Sequence, residues 1–301
     1  MFRLERDRDQ GLPVLTTFTI LVCTGIWVMI NFAADQSWSS VAKWGYLPDS
    51  AIFDGAYWGL ITGAFVHVDP IHLAFNMYWL FFLGGAMERA IGPVKWVVFV
   101  LAAAAVSSGL QLLSGSAGIG FSGVGYAMFG FAWLTRARFP EIARVANQGL
   151  FNLFVGWGLL CIVLTYLKVM NVGNFAHAGG LAFGALVGAW IVSPKRRPLT
   201  TVCLAVLVLG ACASLFWNPM SVDWVGRRAH LAMVREEYPE AIRMNMRLLE
   251  IGGDPIWAWR NLAEIYGFQE DKARYKEAVQ KLESLDSDVA QEVIKDYGDP
   301  D

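Results

Sequence analysis

Charge is what this sequence has least of. Lys and Arg number 24 and Asp and Glu 26 in 301 residues, so 17% of the side chains are charged, against about a quarter in an ordinary soluble domain. Hydrophobic residues reach 55%. This shortage excludes a conventional water-soluble domain over the whole chain and points to a membrane protein. A positive excess is also missing, the net charge being −2, so the footprint that binds a phosphate backbone is absent and nucleic acid is not an expected partner. Cysteine is sparse. Cys23, Cys161, Cys203 and Cys212 all lie inside apolar runs without CxxC spacing, which excludes a disulfide framework and a thiolate metal site. His67, Asp69 and His72 are close in sequence, but Pro70 interrupts them, no HExxH is present and no third histidine ligand accompanies them. No metal or other cofactor is expected, and His67 is expected to cap a helix or to face the mouth of a cavity.

The few charges are unevenly placed. Residues 1–217 hold 13 basic and 9 acidic side chains, while residues 218–301 hold 11 and 17, which sets a membrane region of 1–217 beside a polar region of 218–301. Apolar runs long enough to span a bilayer fall near 14–34, 70–90, 94–113, 121–137, 149–168, 175–193 and 199–217. The expectation is an all-α, polytopic bundle followed by a small extramembrane helical domain. The first run exceeds the apolar stretch of a signal peptide and reads as a retained anchor. Arg3, Arg6, Arg8, Arg89, Lys95, Arg136, Arg138, Arg144, Lys195, Arg196 and Arg197 all fall on one set of alternating connections, and the other set holds only Lys43 and Lys168. By the positive-inside rule the N-terminus is cytoplasmic and the polar region extracytoplasmic. Between the first two runs, residues 35–69 carry Trp38, Trp44, Tyr46, Tyr57 and Trp58, rings that favour the headgroup level.

Against this background a few polar residues stand out. His72 and Asn76 open the second run, Ser122 the fourth and His177 the sixth, so all four lie near the same, outer, surface. Alone, a serine among glycines is most often a packing residue, but ionisable groups in a bilayer are costly and tend to be functional. A hydroxyl and an imidazole at one depth permit acyl transfer, with Ser122 as nucleophile and His177 as general base and then acid. No acid lies at the right depth to complete a triad, so a dyad is expected. Tyr126, one turn after Ser122, offers His177 a flat surface. The Ser122 N–H, the Asn76 amide and His72 are candidates to hold the developing oxyanion. Gly120 and Gly123 free the backbone around Ser122, and Gly180 and Gly184 give the sixth run a small-residue face for close packing on the fourth.

The segments "GFSGVGYAMFG" (Ser122), "HVDPIHLAFNMYWLFFLGGAMERAIG" (His72 and Asn76) and "NFAHAGGLAFG" (His177) resemble the GxSG, HxxxN and AHxxG motifs of the rhomboid intramembrane serine proteases. The likeness runs over roughly residues 14–193. It implies a six-helix core, here with a seventh span, a serine at the floor of an outward-opening wet cavity, and Glu88 as a structural residue at the base of the second span. It further implies that transmembrane segments of other proteins are cut near their outer end, within a bacterial inner membrane. Trp58 stands where many members carry a Trp-Arg pair, but Gly59 follows it, and Gly63 stands where some relatives carry histidine. The rival readings are a catalytically silent relative that binds membrane proteins, disfavoured by the intact Ser122 and His177, and a transporter, disfavoured by the lack of an inverted repeat.

In the polar region, "YPEAIRMNMRLLEIGGDP" (238–255) and "YKEAVQKLESLDSD" (275–288) align at a spacing of 37, with "WAWRNLAEIYGF" between them. The pattern resembles tetratricopeptide-type helical pairs, though the spacing exceeds that repeat's 34 and barely two units are present. It implies a surface for a protein partner or for self-association. A plain helical hairpin is the bland alternative.

Overall fold

The computed structural model describes residues 11–32 and 37–299, so the basic cluster Arg3, Arg6 and Arg8 lies outside the described residues. Regular structure is entirely helical among them, and the chain separates into two compact units, Met1–Phe216 and Trp217–Asp301.

In the first unit the apolar runs become α1 (Val14–Asn31), α2 (Pro70–Trp79, continuing through a π-helical turn Leu80–Gly84 into Gly85–Ile91), α3 (Pro93–Gln111), α4 (Ser122–Thr135), α5 (Gln148–Tyr166), α6 (Asn174–Val192) and α7 (Arg197–Phe216). Five of these, α1, α3, α5, α6 and α7, are long and apolar enough to cross a membrane. The protein is therefore an integral, multi-pass, all-α membrane protein. The other two depart from the sequence expectation in an informative way. α2 is broken by its π turn, and α4 has 14 residues rather than the expected 121–137, about 21 Å at 1.5 Å per residue. α4 does not have to satisfy the bilayer alone, because it is packed inside the bundle, whereas α2 keeps an exposed face at Ile71, Tyr78 and Phe81.

α4 is the centre of the unit. Its residues from Gly123 to Ala132 are buried without interruption, against Leu80, Leu83 and Met87 of α2, Trp96 and Phe99 of α3 and Phe183 of α6. The outer helices show the opposite pattern, with Leu159 60% and Leu209 66% exposed, which suits helices whose outer solvent is hydrocarbon. Inserting one residue in the π turn rotates the rest of α2 by about 100°. Glu88 beyond it meets the start of α1: its two carboxylate oxygens accept the N–H of Leu15 at 3.0 Å, the N–H of Thr16 at 2.7 Å and the Thr16 hydroxyl at 2.7 Å. Those N–H groups have no acceptor one turn back, and a carboxylate at a helix N-terminus satisfies both the bonds and the dipole. Glu88 is thus a buried cap that pins α1, remote from Ser122.

The second unit holds α8 (Val222–Val234), α9 (Tyr238–Glu250), α10 (Pro255–Phe268), α11 (Lys272–Leu285) and α12 (Ser287–Tyr297). Each start is written in the sequence: Ser221, Asp254, Asp271 and Asp286 cap their helices through side-chain oxygens, and Pro239 and Pro255 occupy first-turn positions. Ala241 and Ala278, paired by the 37-residue spacing, are both fully buried. Asn245 breaks the correspondence, since it stands opposite Leu282; its side-chain oxygen instead accepts the Asn261 amide at 3.0 Å within the core.

Candidate active site

α4 begins at Ser122 because the segment before it cannot be helical. Gly120 has φ +96°, a left-handed conformation open to glycine, and a Cβ there would fall 2.8 Å from His72 Nε2 and closer still to its Cε1. Helix geometry leaves the first-turn N–H groups, that of Ser122 among them, with no carbonyl one turn back. The serine Oγ lies 2.9 Å from His177 Nε2. His177 sits in the first turn of α6, largely buried, and its ring stacks on Tyr126 with centroids 4.4 Å apart and planes 24° from parallel. Tyr126 is held in turn by its hydroxyl, which donates to the Phe154 carbonyl of α5 at 3.0 Å. The other imidazole nitrogen, His177 Nδ1, is buried and has no hydrogen-bond partner among the described residues.

The glycines explain how two helices 55 residues apart in sequence come so close. A Cβ on Gly180 would overlap the Gly123 carbonyl, and one on Gly184 would overlap the Ala127 carbonyl; on the facing side, a Cβ on Gly130 would lie 2.6 Å from the Leu181 carbonyl oxygen. Gly123 is equally confined, since a Cβ there would lie 2.7 Å from Ser107 Oγ. Backbone meets backbone along this seam, with no room for a methyl group.

A second set of contacts surrounds His67. Contrary to the expectation that it would face a cavity mouth, His67 is fully buried. Its Nε2 lies 3.2 Å from the Phe121 N–H, which donates to it, and 3.1 Å from Asn76 Nδ2; its Nδ1 faces the Phe65 carbonyl at 3.3 Å. Two donors on Nε2 require the proton on Nδ1, so the tautomer follows from the neighbours. Both nitrogens are engaged by protein groups, which removes His67 from any metal-ligand role beside His72, whose ring is 5.1 Å away. His72 is oriented from below by Asp69, which caps α2 and accepts the His72 N–H at 2.7 Å.

The structure therefore brings Ser122, His177 and Tyr126 together directly, and Asn76, His72, His67 and Gly120 together beside them. The sets join at Phe121, which donates to His67 and is covalently next to Ser122. Glu88 lies outside both. One further residue, which no motif marks, matters here. Gln111, at the end of α3, accepts the Ala176 N–H at 3.0 Å and so anchors the turn that carries His177; its own amide donates to Ser114 at 2.7 Å. A glutamine closing the apolar stretch 96–110 was the available signal. The departures from the motif also acquire a setting: Gly59 packs where a Cβ would lie 3.0 Å from Leu47, and the Gly63 carbonyl accepts the Gly120 N–H at 3.1 Å.

A hydroxyl paired with an imidazole near one end of a multi-pass helical bundle defines the class of intramembrane serine hydrolases. The sequence comparisons agree. The Rhomboid domain family model matches residues 54–195. The Rhomboid protease GlpG of Yersinia pestis (strain Pestoides F) is 32% identical over 197 residues, covering 64% of this chain and 68% of the relative. The Rhomboid protease GlpG of Yersinia enterocolitica serotype O:8 is 32% identical over 190 residues, covering 62% and 66%. The chain belongs to the rhomboid family and is an intramembrane serine protease.

Proposed function

We propose that the protein cleaves transmembrane segments of other membrane proteins near their extracytoplasmic end through a Ser122–His177 dyad. The observation that carries this reading is the 2.9 Å separation of Ser122 Oγ and His177 Nε2 at the start of two helices that share one end of the bundle. Ser122 Oγ attacks the scissile carbonyl carbon while His177 Nε2 takes its proton. The negative charge that forms on the carbonyl oxygen is met by the Ser122 N–H, the Asn76 amide and His72. Collapse of this intermediate breaks the C–N bond, and His177 returns the proton to the leaving amine. Water then attacks the acyl ester while His177 accepts its proton, and His177 returns that proton to Ser122 Oγ as the C–O bond breaks and the acid product leaves. His177 Nδ1 faces no acid, which favours a dyad over a triad; Tyr126 supplies by stacking the ring orientation that an acid would give by hydrogen bonding.

Substrate choice follows from the cost of exposing backbone. A helical bond must be unwound before Ser122 can reach it, and in hydrocarbon each unpaired N–H or C=O costs several kcal/mol. Segments weakened by Gly, Ala or Pro near their outer end meet that requirement most cheaply. The alternating basic connections support an N-terminus on the cytoplasmic side, with Ser122 and residues 218–301 outside, in a bacterial inner membrane. We assign the tetratricopeptide-like helices of 218–301 to binding a protein partner, the substrate or a second copy of the chain.

The deciding experiment is cleavage of a fluorogenic transmembrane substrate in proteoliposomes. Ser122→Ala and His177→Ala should each abolish cleavage while the protein stays folded. Retention of activity by either variant would overturn the dyad, whereas an inactive but well-folded wild type would move the protein to the silent-scaffold reading.

A further inference from the structure

The seven residues before Ser122, from Gly115 to Phe121, include three glycines, of which Gly115 and Gly120 both have φ +96°. A loop of this composition has little preference of its own and loses much entropy on ordering, yet its last residue fixes where the nucleophile stands. Its N–H groups show how it is held. The Phe121 N–H goes to His67 Nε2 and the Gly120 N–H to the Gly63 carbonyl, both beside the serine. At the far end of the loop the Ala117 N–H donates to Asp49 Oδ1 at 2.7 Å.

Asp49 is unusual in this unit. It is a carboxylate buried to 8% exposure, in the first turn of a short helix (Asp49–Phe53), and its contact reaches 68 residues along the chain. The element carrying it is itself fastened: the Thr62 hydroxyl donates to the Gly45 carbonyl at 2.6 Å, and Ile52 and Phe53 are buried. Segment 45–67 thus holds loop 115–121 at Ala117, Gly120 and Phe121, with the Asp49 side chain securing Ala117, while the Gly115 N–H stays with the Leu112 carbonyl.

We infer that Asp49 is a positioning residue for Ser122: by holding Ala117 it fixes the glycine-rich loop, so that the hydroxyl meets His177 in attack geometry. This rests on the proposed dyad. The action inferred for Asp49 runs through the loop, by its bond to the Ala117 N–H. Since the same segment carries the exposed Trp58, motion of the first loop would be transmitted to the nucleophile through this contact.

The test uses the full-length protein in proteoliposomes, with the fraction of reactive sites counted by a fluorophosphonate probe. Asp49→Ala should lower kcat per reactive site and the second-order labelling rate together by tenfold to a hundredfold, since misplacement by about 1 Å costs that much, with KM changed less than twofold. Asp49→Asn keeps an acceptor oxygen at the same place and should recover most of both rates. A merely structural role would reduce the number of reactive sites but leave the rate at each one unchanged. That result, or an Asp49→Asn variant as slow as Asp49→Ala, would overturn the inference. A folded wild type that the probe cannot label would instead remove the dyad itself, and the inference with it.

Discussion

Gly184→Ala tests whether catalysis depends on backbone-to-backbone packing of α4 and α6. The added methyl group would overlap the Ala127 carbonyl, and neither atom belongs to a side chain that can turn away. Restoring van der Waals contact requires the helices to separate by on the order of 1 Å. His177 rides on α6 two turns away, so the same displacement would stretch its 2.9 Å contact with Ser122 out of hydrogen-bond range. The expected loss is about 10²-fold in kcat, beside an overpacking penalty of about 1–3 kcal/mol in stability. Gly156→Ala on α5 is the control, because a Cβ there meets nothing within 4 Å; it should leave turnover unchanged. The assay is substrate cleavage normalised to reactive sites, run beside thermal unfolding. Wild-type turnover in Gly184→Ala would refute the reasoning, and equal losses in both variants would assign the effect to helix conformation rather than to the seam.

Other outcomes follow from single contacts. Asn76→Ala should lower turnover by about 10²–10³ if its amide is an oxyanion donor, and adding His67→Ala to that variant should lower it further, because His67 also holds the Phe121 N–H beside Ser122; a double variant no slower than Asn76→Ala would deny that contact a role. Tyr126→Phe should keep the ring beneath His177 and lose about 0.5–1.5 kcal/mol of stability with its bond to Phe154, leaving kcat near wild type, whereas Tyr126→Ala should reduce kcat; identical kinetics of the two variants would deny the stack a role. Glu88→Gln should weaken the cap on α1 and lower the unfolding midpoint by the equivalent of about 1–3 kcal/mol, with turnover per folded molecule unchanged; lost turnover at full stability would bring Glu88 into the site.

What the sequence revealed and what it hid divide along physical lines. Hydropathy marks a helix wherever lipid is the outer solvent, so α1, α3, α5, α6 and α7 were legible, with ends displaced by a few residues. α2 and α4 were located, but the π turn and the short length of α4 were hidden, because a one-residue insertion in a helix leaves no mark in hydropathy and the shortness of α4 depends on the neighbours that bury it. The polar residues in the site, Ser122, His72, Asn76 and His177, stood out for the same reason that makes them costly. Asp49, Gln111 and the buried setting of His67 did not. Each is an acceptor for a backbone N–H far along the chain, and no local pattern records such a partner. In 218–301 the 37-residue spacing was visible, while the Asn245–Asn261 pair, which gives the two aligned helices different neighbours, was not.

The central claim reduces to one reactive hydroxyl that depends on one imidazole. Intact-mass and peptide-mapping analysis after fluorophosphonate treatment measures this most directly. The expected result is a single adduct per chain, carried on Ser122 and absent in His177→Ala. An adduct on another residue, or one that forms on Ser122 at an undiminished rate without His177, would contradict it.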